Sequence, residues 1–346
     1  MNAHTAVDQD LVGMMDAVFA RHREEHEPGA EWDRSLWARL GELGLTRLTG
    51  REESGGSGAT WFEAAELLRA AVSHGVRAPV AEHDLLAGWL LDVAGLPVDD
   101  SRRTVCVLDD KGVARDVPWA AEADRIVVVW RSDDRYLVGD VAVADLRIVN
   151  GANLAGEPRG TVSADVGAVT GSHVSGTIVE QLHLRGALVR ALQICAALDA
   201  ILELSITHAT DRTQFGRPLA KFQAVQNLVA DIAGEAALAR AATEAALADA
   251  VRTDWSGTNV EFLVAVARSC AGHAASVVVR NAHQIHGAIG TTQEHRLHEY
   301  TKPALAWRSE YGSTHFWDDK LTRAAIAAGR DNLWDLVTGL PTERTT

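Results

Sequence analysis

The stretch Asp211–Asn227, DRTQFGRPLAKFQAVQN, gathers side chains suited to holding an anionic ligand. Arg212 offers a planar guanidinium with five donors, which matches a phosphate or pyrophosphate. Gln214 adds an amide, Phe215 a flat apolar face, and Gly216 a turn that a side chain would obstruct. Pro218 reads as a residue just inside the next helix, where its missing N–H costs nothing. An ordinary inter-helix turn with one solvated arginine has a similar composition, so residue types alone leave both readings open.

The spelling is more specific. Arg212 to Leu219 reads R-x-x-F-G-x-x-L, and Phe222 to Gln226 reads F-Q-x-x-Q. Together they resemble the flavin-contacting turn of the acyl-CoA dehydrogenase family. Gln284–Gly290, QIHGAIG, resembles the family's Q-I-x-G-G-x-G block, in the same order and at about the same spacing. On these two blocks the chain is identified as a member of that family.

The resemblance implies FAD as cofactor and α,β-dehydrogenation of an acyl-CoA thioester, with the flavin lying between two subunits. By position, Arg212 pairs with the pyrophosphate, Gln214 and Phe215 lie beside it, and Gln223 lies near the same cofactor. Gln284, His286, Gly287 and Gly290 form a second contact. Ala288 stands where the motif has its second glycine, adding a methyl group at a close approach.

The chemistry also needs a carboxylate base. The family places its glutamate at one of two positions, which by counting fall on Tyr311 and near Gly186; neither is acidic. Glu310, one residue away, is the remaining candidate, although adjacent residues point in different directions. Glu180 and Glu299 read as residues of solvated faces. The family's flavin-holding segment, close to T-E-P-x-x-G-S-D, has no counterpart here.

The half of the site given to a neighbouring subunit is thus retained, while the half that performs chemistry is degraded. That pattern, a short middle domain and Trp307–Gly312 (WRSEYG) resemble the non-catalytic member of bacterial α2β2 acyl-CoA dehydrogenases, which act on steroid-derived or other bulky acyl groups. The implied partners are a second, family-like chain carrying the catalytic glutamate, the acyl-CoA substrate, and an electron-transfer flavoprotein or similar acceptor. The alternatives are a self-sufficient homo-oligomer using Glu310, a cofactor-free helical scaffold or regulatory protein, and a flavin monooxygenase, whose chemistry needs no glutamate base.

Helical and β segments position these blocks. Residues 1–100 read as an N-terminal helical domain, with amphipathic segments at Asp10–His22 and Trp32–Leu43, the latter ended by Gly44. The loop 51–60, REESGGSGAT, reads as a flexible connector, since no phosphate-loop motif is present. Thr60 and Glu63 spell a capping box for a helix over Trp61–Ser73, and a further helix spans roughly Pro79–Ala94.

Residues 101–178 carry β-branched runs at Thr104–Leu108, Arg125–Trp130, Tyr136–Val141 and Leu146–Asn150. They predict a shortened, β-barrel-like middle domain with a hairpin at Ser132–Asp134 and a turn at Asn150–Gly151. Residues 179–340 read as a C-terminal four-helix bundle, with helices over Leu182–His208, Leu219–Arg252, Asn259–His286 and Phe316–Val337. Alanines such as Ala236, Ala237, Ala241, Ala242, Ala245 and Ala246 allow close helix approach. The tail 341–346 is expected to be disordered.

The 346 residues carry a formal charge of −14, which argues against nucleic acid and anionic membranes as partners. No apolar run of the roughly 20 residues needed to cross a bilayer is evident. The N-terminus has no signal-peptide pattern, so a cytoplasmic location is expected. Cys106, Cys195 and Cys270 read as small hydrophobes in a reducing compartment. The 14 histidines show no ligand-like pairing with carboxylates, and no metal is expected. The 10 tryptophans are scattered and read as core or interface anchors.

Overall fold

The computed structural model describes residues 7–27 and 32–338. The tail 341–346 lies outside the described residues.

Helices α1 (Gln9–Glu25), α2 (Arg34–Glu42) and α3 (Trp61–Ser73) each begin at a side chain that accepts from the first free N–H groups: Asp8, Asp33 and Thr60. The Thr60–Glu63 capping box is present in both directions. Gly44, at φ 71°, follows α2 in the left-handed conformation expected of a C′ residue. A π-helical segment, Ala81–Gly88, then runs into α4 (Trp89–Ala94).

The loop 51–60 is more ordered than a flexible connector. Gly56, Ser57, Gly58 and Ala59 donate backbone hydrogen bonds to Arg51, Arg47, Gly50 and Leu48. Gly56 approaches Gly50 so closely that an added Cβ would lie 2.1 Å from the Gly50 carbonyl oxygen. The glycines here permit close packing of backbone on backbone.

Seven strands follow: β1 (Arg103–Val107), β2 (Val113–Pro118), β3 (Arg125–Ser132), β4 (Arg135–Ala142), β5 (Arg147–Ala152), β6 (Pro158–Ser163) and β7 (Ser172–Val174). They form two sheets, ordered β1-β3-β4-β7 and β2-β6-β5, with β1 and β3 parallel. The unbroken apolar run of β3 has a simple cause: both faces are buried. Ile126, Val128 and Trp130 face the core between the sheets, while Val127 and Val129 face the helices. The β3–β4 hairpin turns at Asp133, as expected, with φ 52°. Asn150 and Gly151 do not turn; they pair with Gly160 and Arg159 inside β5.

The C-terminal bundle is built on α5 (Gly176–Asp211), α6 (Gln223–Arg252) and α7 (Val260–His286), packed on one another. Helix α8 (His298–Trp307) crosses α5, and α9 (Thr314–Thr338), kinked at Gly329, lies along α7. Of the alanines singled out on α6, Ala236 and Ala246 are buried, whereas Ala237, Ala241 and Ala245 face outward.

One segment, Val260–Thr291, is long and apolar enough by length and composition to span a membrane, which corrects the reading that no such run exists. More than half of its most apolar window is buried in the bundle, so its apolarity has a structural use. Seven of the ten tryptophans are buried, in keeping with anchors, while Trp334 is largely exposed.

Candidate functional site

Helix α5 ends at Asp211 and the chain forms a small hairpin, β8 (Thr213–Gln214) and β9 (Arg217–Pro218). Its two turn residues, Phe215 at φ 52° and Gly216 at φ 76°, are both left-handed, the geometry of a type I′ two-residue turn. Glycine adopts this freely, but phenylalanine does so at a cost. Phe215 is also 90% exposed, so neither burial nor backbone preference within this chain accounts for it.

The hairpin base is closed by Leu219 N–H donating to Arg212 O at 2.9 Å. The Arg217 guanidinium lies 4.1 Å from the Phe222 ring centroid, bracing the second strand. Pro218 sits in β9, five residues before α6 starts, and not inside that helix as the sequence suggested. Arg212, Gln214, Phe215 and Gln223 are all exposed. Arg212 forms no ion pair among the described residues, leaving its guanidinium available to an anion.

The second block lies at the same end of the bundle. His208, one turn before Arg212, stacks on His286 with ring centroids 4.5 Å apart, tying the end of α5 to the end of α7. Gln284, Gly287 and Ala288 are exposed. Gly287 has φ 62° and ψ −140°, a conformation suited to glycine.

His286 and Gly290 lie beneath that surface. The His286 Nδ1–H donates to Ala282 O at 2.8 Å. A Cβ on Gly290 would lie 2.8 Å from His286 Cβ and 3.2 Å from Leu297 Cδ2, so internal packing explains this glycine. None of these residues lines the cleft between the small β domain and the segment that follows α8.

That cleft, about 680 Å³, opens between strands β1 and β2 and the segment from α8 to Tyr311. Tyr311, one of the two positions assigned to a base, lines this cleft, and the other, Gly186, is buried behind its ring. The ring of Tyr311 covers Gly186 so closely that an added Cβ would lie 2.3 Å from its Cε1. Burial pushes the Tyr311 phenol up, away from any role as a base at neutral pH.

Glu310 is held by two arginines. Its Oε2 accepts from Arg190 Nε at 2.7 Å, and its Oε1 from Arg159 Nη2 at 2.8 Å. Asn153 Nδ2 donates to the same Oε1 at 3.1 Å. Burial alone would raise its pKa, but Arg190, Arg159 and Asn153 outweigh that and hold it below the usual carboxylate range. A carboxylate so held is a weak base, and both its oxygens are already engaged.

The network extends inward. Arg190 also pairs with Glu82 at 2.7 Å, Arg159 pairs with Glu157 at 2.9 Å, and Trp307 Nε1 donates to Glu157 at 2.9 Å. Arg268 completes the support: its Nη2 faces the carbonyls of Trp307, Arg308, Glu310 and Gly312 at 2.8–3.3 Å, clamping the turn that carries Glu310 and Tyr311. Glu180 is exposed as expected. Glu299 is not: it is buried and paired with Arg23 at 2.9 Å and Arg296 at 3.3 Å.

The buried arginines were missed in the sequence, although a signal existed. Arg185 and Arg190 interrupt the apolar run of α5 and Arg268 that of α7, and a charge there needs a buried partner.

Residues 2–97 match the model of the acyl-CoA dehydrogenase N-terminal domain, and residues 177–324 that of the C-terminal domain. The acyl-CoA dehydrogenase IpdE2 of Mycobacterium tuberculosis is 32% identical over 287 residues, covering 79% of this chain and 81% of that protein. Among solved structures, a chain of the ChsE4-ChsE5 complex from Mycobacterium tuberculosis superposes with a TM-score of 0.81 at 21% identity, covering 95% of this chain and all of that one. The Tcur3481-Tcur3483 steroid ACAD G363A variant gives 0.80 at 21% identity, covering 93% and 98%. Sequence blocks, fold and relatives agree: this chain belongs to the acyl-CoA dehydrogenase family.

Proposed function

We propose that this chain is the non-catalytic subunit of a heteromeric FAD-dependent acyl-CoA dehydrogenase. On this reading it completes the flavin site of a second, family-like chain that carries the catalytic glutamate. The carrying observation is the contact of Tyr311 with Gly186: an aromatic ring occupies the space where both positions for a base meet. Glu310, the glutamate nearest those positions in the chain's own cleft, is committed to Arg159 and Arg190.

The surface facing a neighbour fits the opposite role. Arg212, unpaired and exposed on a braced hairpin, supplies donors for a pyrophosphate. Phe215 and Gln214 lie beside it, with Gln223 at the start of α6. Gln284 and Gly287 present an amide and a side-chain-free backbone from the second turn, with His286 and Gly290 packing beneath to set its shape. The flavin, when bound, supplies hydride acceptance from the acyl Cβ. This chain's residues bind and orient its anionic portion.

The same reading extends to substrate and acceptor. A steroid-derived or similarly bulky acyl-CoA is supported by fold neighbours described as a two-chain complex and a steroid ACAD. An electron-transfer flavoprotein or similar acceptor would reoxidise the flavin. The self-sufficient homo-oligomer is disfavoured by the double arginine clamp on Glu310.

The test is flavin retention. The chain is co-purified with a glutamate-bearing family member of the same genome, and an Arg212→Ala variant is treated alike. The reading predicts that the assembly binds flavin and that the variant loses most of it; unchanged flavin content would overturn the in-trans role.

A further inference from the structure

Three histidines from distant parts of the chain converge beside the two turns just described. His208 lies in the last turn of α5, His286 at the end of α7, and His295 in the segment before α8. The ring nitrogens they offer lie within 4.8 Å of one another. The His286 centroid is 4.5 Å from that of His208 and 4.6 Å from that of His295.

His286 is 5% exposed. Its Nδ1–H is donated to Ala282 O, which leaves the lone pair on Nε2, and Nε2 is buried with no hydrogen-bond partner. A buried acceptor facing no donor is costly and calls for a ligand or another explanation.

We propose that His208, His286 and His295 form a binding site for a divalent first-row transition cation, Zn2+ foremost. Imidazole nitrogens suit zinc and its neighbours, while magnesium and calcium require oxygen donors. A ligand histidine whose other ring nitrogen is tied to a backbone carbonyl is the arrangement that fixes tautomer and orientation at such sites. Three protein ligands leave one tetrahedral position for water.

Zn–N bonds of about 2.0–2.1 Å require the rings to draw together. His208, half-exposed and without a side-chain hydrogen bond among the described residues, can rotate out of its stack to do so. At His295 the Nδ1 lone pair now accepts from Leu297 N–H at 3.1 Å and would be exchanged for the metal. Burial, together with the neighbouring histidines, holds His286 neutral, with its pKa lowered to about 4, so little competition from protons is expected at neutral pH.

A cation here would pin the ends of α5 and α7 together. Arg212 and Gly287, which follow these ends directly, would then be held in fixed relation. The expectation of no metal rested on the lack of histidine–carboxylate pairing in the sequence, which cannot register three histidines brought together from separate segments.

The test uses the full chain, freed of metal and of any affinity tag, titrated with Co2+ as a spectroscopic probe and then with Zn2+ in competition. The proposal predicts a saturable equivalent of Co2+ with tetrahedral d–d absorption, displaced by Zn2+, and a thermal midpoint raised by Zn2+. His208→Ala, at a half-exposed position, should weaken binding by more than about 10-fold, and His286→Ala likewise. His22→Ala, which breaks the separate His22–His26–Asp33 cluster, should leave it unchanged. Absence of saturable binding, binding indifferent to His208→Ala, or binding lost in His22→Ala would each overturn the site. The titration needs neither flavin nor a second chain, so its outcome is independent of the function proposed above.

Discussion

Tyr311 lies over Gly186 with its ring edge where a side chain at residue 186 would begin: a Cβ there would be 2.3 Å from Cε1 and 2.5 Å from Cδ1. The two positions that could carry a base thus constrain each other sterically. Gly186→Ala should destabilise the chain by about 1–3 kcal/mol, as overpacking of a filled core does. Tyr311→Ala alone should also destabilise it, by leaving a cavity. Adding Tyr311→Ala to Gly186→Ala should cost less than the sum of the two, a coupling read from thermal or denaturant unfolding. Simple additivity would contradict the contact.

Glu310→Gln should act on stability and leave chemistry unchanged. Removing the charge leaves Arg159 and Arg190 short of a partner in a buried setting, at a cost of about 3 kcal/mol. Turnover by the assembled two-chain enzyme should be unchanged wherever the variant is folded. Loss of turnover in a folded, flavin-replete assembly would restore Glu310 as a base.

Arg185 is caged by three tryptophans, its guanidinium carbon 4.0, 4.6 and 5.4 Å from the ring centroids of Trp89, Trp255 and Trp61. These rings come from α4, the α6–α7 connection and α3, so the cage joins the N-terminal helices to the bundle. Arg185→Lys keeps the charge but loses the flat face, and should cost about 1–2 kcal/mol with a change in tryptophan emission. An unaltered midpoint would show that charge alone matters.

His83 is buried on the π-helical segment, its Nδ1 accepting from Arg103 N–H at 3.0 Å. Burial, helped by Arg103 and Arg47, lowers its pKa from 6.5 to about 3. Between those values the unfolded chain binds the proton and the folded chain does not. The histidine therefore favours unfolding as pH falls below 6.5, by about 1.4 kcal/mol per pH unit. Asp84 works oppositely, since burial raises its pKa to about 6 and the folded chain takes up that proton first. The histidine's share is read from the difference between the parent chain and His83→Asn, which should show a shallower loss of stability in acid. Parallel stability curves would refute the assignment.

Much of the architecture could be read from local pattern. The Thr60–Glu63 box, the Ser132–Asp134 hairpin and the long alanine-rich helices each carry their signal within a few residues. What escaped was context. Strands β2 and β6 include Pro118, Pro158 and Gly160 and lack alternation, so only their pairing across the small sheet reveals them. Helix α8 contains Pro303, which argues against a helix in sequence and is tolerated in a ten-residue one.

The site divides in the same way. The Arg212 and Gln284 blocks are contiguous and legible. The Glu82–Arg190–Glu310–Arg159–Glu157 network joins residues up to 151 positions apart in its direct contacts, and no spacing rule anticipates it. Glycine 186 is silent in sequence, and its meaning comes from the ring packed against it.

The most direct test of the central claim is the visible flavin absorbance of this chain, produced alone and produced with a glutamate-bearing family member. The account predicts a colourless protein in the first case and flavin bound in the second. Stoichiometric flavin on the chain alone would contradict it, because the flavin site would then be complete without a second chain.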